Sequence, residues 1–230
     1  MSAPVDAEDD LDIVLLPPDE PPKVVYSASD IAAGAATPGG GGEAPGLRAG
    51  IGKFLDRVRR DEVELYNEAS LQYELAIHLR HALDPVWKIQ LERPVDYFGL
   101  DRASGFVKKE IDIVVFTEQQ AHAIELKLPM RGQYPEQLYS FCKDILFLEQ
   151  MVRAGFGTCY FLAIVADRLF WEGRTTDGIY APFRGDASIC GEVRKPTGDR
   201  DEALRMAGHH AVTWRDAGAG RKYALVEVSA

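Results

Sequence analysis

A chain of 230 residues is long enough for one domain with a substantial core, and 46% hydrophobic with 27% charged residues is the balance of a globular fold. The 36 acidic residues outnumber 26 basic ones, for a net charge of −10, which excludes a protein that coats nucleic acid through bulk positive charge but not an enzyme with a local basic cleft. Three scattered cysteines (Cys142, Cys159, Cys190) are too few for a disulfide framework or a closed zinc site and fit a reducing, cytoplasmic setting. The longest apolar run, Cys159 to Ala166, falls far short of the ~20 residues of a membrane span, and no basic stretch followed by an apolar one marks a secretory leader.

Residues 1–50 carry nine acids, two bases and seven of the 13 prolines, but one aromatic, Tyr26. Such a segment buries too little apolar surface to offset its ordering entropy, so 1–50 is expected to be disordered, ending in the run Gly39 to Gly42. Its net −7 suggests an autoinhibitory tether that competes with nucleic acid. From Ile51 to Leu83 the periodicity is helical, and Asp84-Pro85 ends it. Val86 to Val95 reads as a strand, Gly99 to Gly105 as a turn region, Phe106 to Thr117 as a second strand and Ala121 to Leu128 as a third. The short links imply antiparallel neighbours. Pro135 suits the first turn of a helix whose apolar positions run from Leu138 to Val152, with Gly155 at its end. Thr158 to Ala166 is then a strand buried on both faces and, after a crossover helix, parallel to a neighbour. Residues 167–230 read as an extension on the same domain, with short strands at Ala211 to Trp214 and Tyr223 to Val228 and a loop at His209-His210.

Alternation puts Asp112 on one strand face with Val114 and Phe116, and Glu125 with Lys127 on one face of the next strand. Pairing through the Glu118 turn brings Asp112 and Glu125 onto neighbouring strands, roughly 4.8 Å apart. Two carboxylates that close repel, and a divalent cation is the usual compensation. Lys127 can then hold an attacking water or a developing negative charge without competing for the metal.

The text Lys109-Glu110-Ile111-Asp112-Ile113-Val114-Val115 followed by Ala123-Ile124-Glu125-Leu126-Lys127 resembles the PD-(D/E)XK nuclease superfamily, the restriction-endonuclease-like and Holliday-junction-resolvase-like fold. The resemblance spans about residues 60–166, with Ile111 in place of the family proline. It implies an α/β (α+β) fold: an αβββαβ core, 51–166, of a mixed sheet flanked by helices. It also implies a Mg²⁺- or Mn²⁺-dependent hydrolase of phosphodiester bonds, acting on nucleic acid, most simply DNA, with a homodimer among the expected assemblies. On that pattern Asp112 and Glu125 hold the metal, Lys127 is the catalytic lysine and Glu74 is the added helix glutamate, with Glu64 and Glu68 as rivals. Gln137 matches the glutamine of a Gln-x-x-x-Tyr motif, although Phe141 stands where the tyrosine belongs. Lys108, Lys109 and Arg131 flank the strands where phosphates would lie. The alternative is a catalytically inactive module of this fold that binds nucleic acid or protein.

Overall fold

The computed structural model describes residues 44–100, 105–130, 132–198 and 202–230. Among these the chain forms α1 (Leu47–Arg59), α2 (Glu68–Ala82), β1 (Lys88–Pro94), β2 (Glu110–Phe116), β3 (Ala121–Lys127), α3 (Tyr134–Arg153), β4 (Cys159–Val165), the short helix α4 (Ala181–Arg184), β5 (Ile189–Arg194), β6 (Ala203–His210), β7 (Trp214–Gly218) and β8 (Arg221–Val228). Most of the acidic N-terminal segment, and with it the tether reading, lies outside the described residues, but the boundary at 50 is too late. Ala44, Leu47 and Gly50 are buried and α1 begins at Leu47.

The single helical stretch expected over Ile51 to Leu83 is two helices. Asp61 takes a left-handed φ of 60° after α1, and a capping box starts α2. In that box Asn67 Oδ1 accepts from the Ser70 amide at 2.7 Å, and Ser70 Oγ accepts from the Asn67 amide at 3.1 Å. A local hydrogen-bond set of this kind outweighs a periodicity that would otherwise run on.

The central sheet is mixed, in the order β1-β2-β3-β4-β8-β7. β1, β2 and β3 form an antiparallel meander, and β4 lies parallel to β3 after the α3 crossover. β4 is buried along all seven residues, as its unbroken apolar run requires. α1 and α2 cover one face, packing Phe54, Leu71 and Leu75 on Ile113, Ile124 and Leu162. α3 covers the other, packing Phe141, Ile145 and Leu148 on Val114, Ala123 and Phe161.

The last 60 residues contribute more strand than their sequence suggested. β8 pairs antiparallel with β4 and β7 with β8, so they widen the central sheet, while β5 and β6 form a separate hairpin. His209 and His210 lie in β6 rather than a loop, and only Trp214 of the expected strand Ala211 to Trp214 is in a strand. β5 with β6 and β7 with β8 are pairings between neighbours in sequence, but β8 docks on β4, far earlier in the chain, and that distant pairing widens the sheet.

Two contacts define how this extension is fastened. Gly218 has φ 78°, and a Cβ there would lie 2.3 Å from the Arg59 carbonyl oxygen at the end of α1. Gly218→Ala is expected to lower stability by about 2–4 kcal/mol through backbone strain and overpacking, read as a urea midpoint shift. On the other face Glu149 of α3 grips β6: its carboxylate accepts from the Ala207 amide (2.9 Å), the Gly208 amide (2.8 Å) and His210 Nε2 (2.8 Å). Burial opposes the Glu149 charge, but these donors outweigh it and hold its pKa below the usual range. Glu149→Gln is therefore expected to remove stability that is fully present above pH ~4.5 and fades as pH falls through the depressed folded value. The loss should be about 2 kcal/mol at pH 7, measured by urea unfolding at pH 7 and pH 3.5.

Candidate functional site

The β2–β3 ladder ends at the Ile113–Ile124 pair, and two carboxylates take over from it. Glu125 Oε1 accepts from the Asp112 amide at 3.3 Å, and Asp112 Oδ2 accepts from the Leu126 amide at 2.8 Å. Each acid thus bonds the backbone of the other's strand, which fixes both on the face beneath α3. From α2, Gln72 Nε2 donates to the Asp112 carbonyl and to Glu92 Oε1, each at 2.6 Å.

Two ammonium groups lie among these acids. Lys108 Nζ pairs with Glu125 Oε2, with Asp144 Oδ1 at 3.2 Å and with Asp112 Oδ1 at 3.4 Å. Lys127 Nζ pairs with Asp144 Oδ2 at 3.0 Å and Glu68 Oε1 at 3.4 Å, and donates to the Leu126 carbonyl at 3.0 Å. Glu68, in the first turn of α2, also accepts from the Leu128 amide at 3.2 Å. Asp144 joins the two lysines, and Lys127 joins α2 to α3.

The electrostatics follow from burial. Glu125 is fully buried and Asp144 is 2% exposed. Desolvation, with the Asp112 charge next in weight, pushes the Glu125 carboxyl well above the usual range, and desolvation also raises Asp144. Burial disfavours the Lys127 ammonium, but Asp144, Glu68 and Asp112 together outweigh it, and its pKa is raised. Lys108 is raised too: burial opposes its charge, and Glu125, Asp144 and Asp112 overcome that. Both lysines are therefore cations at neutral pH.

The structure brings Asp112, Glu125 and Lys127 together and adds Asp144, Lys108 and Glu68. Glu74 is half-buried on α2 and makes no hydrogen bond or ion pair with another described side chain; Glu68 is the α2 glutamate that reaches Lys127. Gln137 is half-buried two helical turns before Asp144 and so on the same side of α3, and its amide bonds the Gln133 carbonyl. Lys109 is exposed at the head of β2, and Lys108 turns inward rather than towards solvent. Arg131 lies outside the described residues. Asp144 carried a signal in the sequence: an acid amid Phe141, Ile145 and Leu148 on an apolar helix stripe has to find a buried partner. Nothing local marked Lys108 as inward-facing, because its partners come from three other elements.

The compensation that neighbouring carboxylates require is supplied here by Lys108. Among the described residues no group of three or more His, Cys, Asp or Glu side chains is arranged to hold a metal ion. Three carboxylates converge on the Lys108 ammonium, and carboxylate oxygens are the donors that hard cations prefer. Among the described residues no helix is long and apolar enough to cross a membrane, and the three cysteines are free. Comparison with protein-family profiles, characterised proteins and solved structures finds no match to this chain.

Proposed function

We propose that this chain is a metal-dependent nuclease of the restriction-endonuclease-like type, hydrolysing phosphodiester bonds, in DNA before RNA. The observation that carries the reading is the convergence of Asp112, Glu125 and Lys127 on one sheet face. The order helix, three-strand meander, crossover helix and parallel strand supports it.

Asp112 and Glu125 would hold Mg²⁺ or Mn²⁺, which when bound supplies a polarised phosphoryl oxygen and a water of lowered pKa. Lys127 acts as a donor and not as a base, since its raised pKa keeps it protonated. Its ammonium orients the water or stabilises charge developing on phosphorus. Asp144 and Glu68 hold that ammonium from two sides. Gln137, two turns before Asp144 on α3, and Glu74 are second-rank contributors, while Lys109 and Arg131 meet backbone phosphates. The chain works in a reducing, cytoplasmic setting, with a second copy of itself as one arrangement for cutting both strands.

A second reading, a nuclease-like module without catalysis, is favoured by one observation: Lys108 already neutralises the carboxylates without metal. The deciding experiment is cleavage of linear, supercoiled, single-stranded and branched DNA and of RNA with Mg²⁺ or Mn²⁺. Cutting by the wild type but not by Lys127→Ala supports the nuclease. Failure of the wild type on every substrate gives the binding module.

A further inference from the structure

We propose that Lys108 is a built-in competitor for the cation position, carried on a strap that must lift before a divalent ion can enter. This rests on the nuclease reading for its purpose but not for its test.

The strap is the segment from Gly105 to Lys109, leading into β2. Gln150 of α3 holds its backbone: Gln150 Oε1 accepts from the Val107 amide at 2.9 Å, and Gln150 Nε2 donates to the Gly105 carbonyl at 3.1 Å. Both Gln150 bonds engage backbone, and Phe106, against Phe147, and Val107 add side-chain packing on the core. Gly105 has φ 79° with open space where a Cβ would be, a backbone state that glycine adopts freely. From the latched strap the Lys108 side chain runs past Phe147, its Nζ 5.8 Å from the ring centroid, and seats the ammonium on Glu125, Asp144 and Asp112. The Lys108 side chain is 22% exposed, so it borders water while Glu125 beneath it is fully enclosed.

An ammonium tethered four residues from Asp112 acts at an effective concentration on the order of millimolar. A divalent ion therefore meets an occupied site, and its apparent affinity is scaled down by the fraction of molecules with the strap lifted. Asp144 gains a role here that neither strand motif predicts. It pairs with both lysines, so that when Lys108 leaves, Lys127 keeps its partner while Asp144 Oδ1 becomes free for the incoming ion.

The test is Mn²⁺ binding by the full chain without nucleic acid, read by water-proton relaxation and calorimetry. The proteins are the wild type, Lys108→Met, Lys109→Met and Gln150→Ala. With a minor open population of about 1–10%, Lys108→Met should bind Mn²⁺ about 10–100-fold more tightly. Gln150→Ala keeps every charge and should also bind more tightly, whereas Lys109→Met, which removes a like charge next door, should match the wild type. Unchanged affinity in Gln150→Ala overturns the strap, even if Lys108→Met fails to fold. Equal tightening in Lys108→Met and Lys109→Met overturns it as well, since general electrostatics then accounts for the effect. Tighter Mn²⁺ binding without cleavage of any substrate leaves the strap standing and removes the nuclease. Cleavage with unaltered Mn²⁺ affinity in Gln150→Ala does the reverse.

Discussion

Lys127→Met is expected to lower metal-dependent cleavage by at least about 10²-fold, the usual loss when one preorganised donor to a developing charge is removed. The fold should survive. Lys127 lies at the end of β3 with its side chain 14% exposed, and its partner Glu68 is half in water and can rehydrate. Asp144 retains Lys108 as a counter-ion. A melting temperature close to that of the wild type, beside lost cleavage, would separate the donor role from a structural one. Lys127→Arg should recover little, because a planar guanidinium fork does not replace a compact ammonium between Asp144 and the Leu126 carbonyl. Wild-type rates in Lys127→Met would end the proposed role for this residue.

The largest effect on stability is expected at Lys108, in protein freed of divalent ions with chelator. Lys108→Met strands Glu125 and Asp144 in a buried face without their shared cation, a loss of about 3–5 kcal/mol near pH 8. The pH dependence has a definite sign. Glu125 is held above its ordinary value of 4.5 by burial first and by Asp112 next, so the folded state takes up its proton more readily than the unfolded chain. The stability of such a group is fullest below its unfolded pKa and declines as pH rises through the folded value. Removing Lys108, which opposes this shift, deepens the decline. The gap between wild type and Lys108→Met in urea midpoint should thus be widest at pH 8 and shrink towards pH 5. A gap that widens on acidification would contradict this assignment of charges.

The two lysines of one cluster therefore have opposite signatures. Lys127 should matter for turnover and little for stability, because one of its carboxylates is open to water. Lys108 should matter for stability and restrain metal entry, because its carboxylates are enclosed.

Much of this arrangement was written locally in the chain. Alternation in Asp112 to Phe116 and in Ala121 to Lys127, with only Glu118 to Gln120 between, fixes which side chains share a face, since a one-residue slip would bury the wrong set. The apolar stripe of α3 and the unbroken run of β4 likewise fix the crossover and the parallel pairing. The break between α1 and α2 is local as well, resting on a capping box that competes with periodicity. Three things were decided only by tertiary structure. The contact of Glu68, rather than Glu74, with the end of β3 rests on where the α2 N-terminus meets that strand. The widening of the sheet by β7 and β8, and the seating of Lys108, rest on partners far away in sequence. Periodicity reports which face a residue takes, because that depends on backbone geometry alone. Which charge compensates a buried acid depends on the field of every element packed around it, and that exists only once the chain has folded.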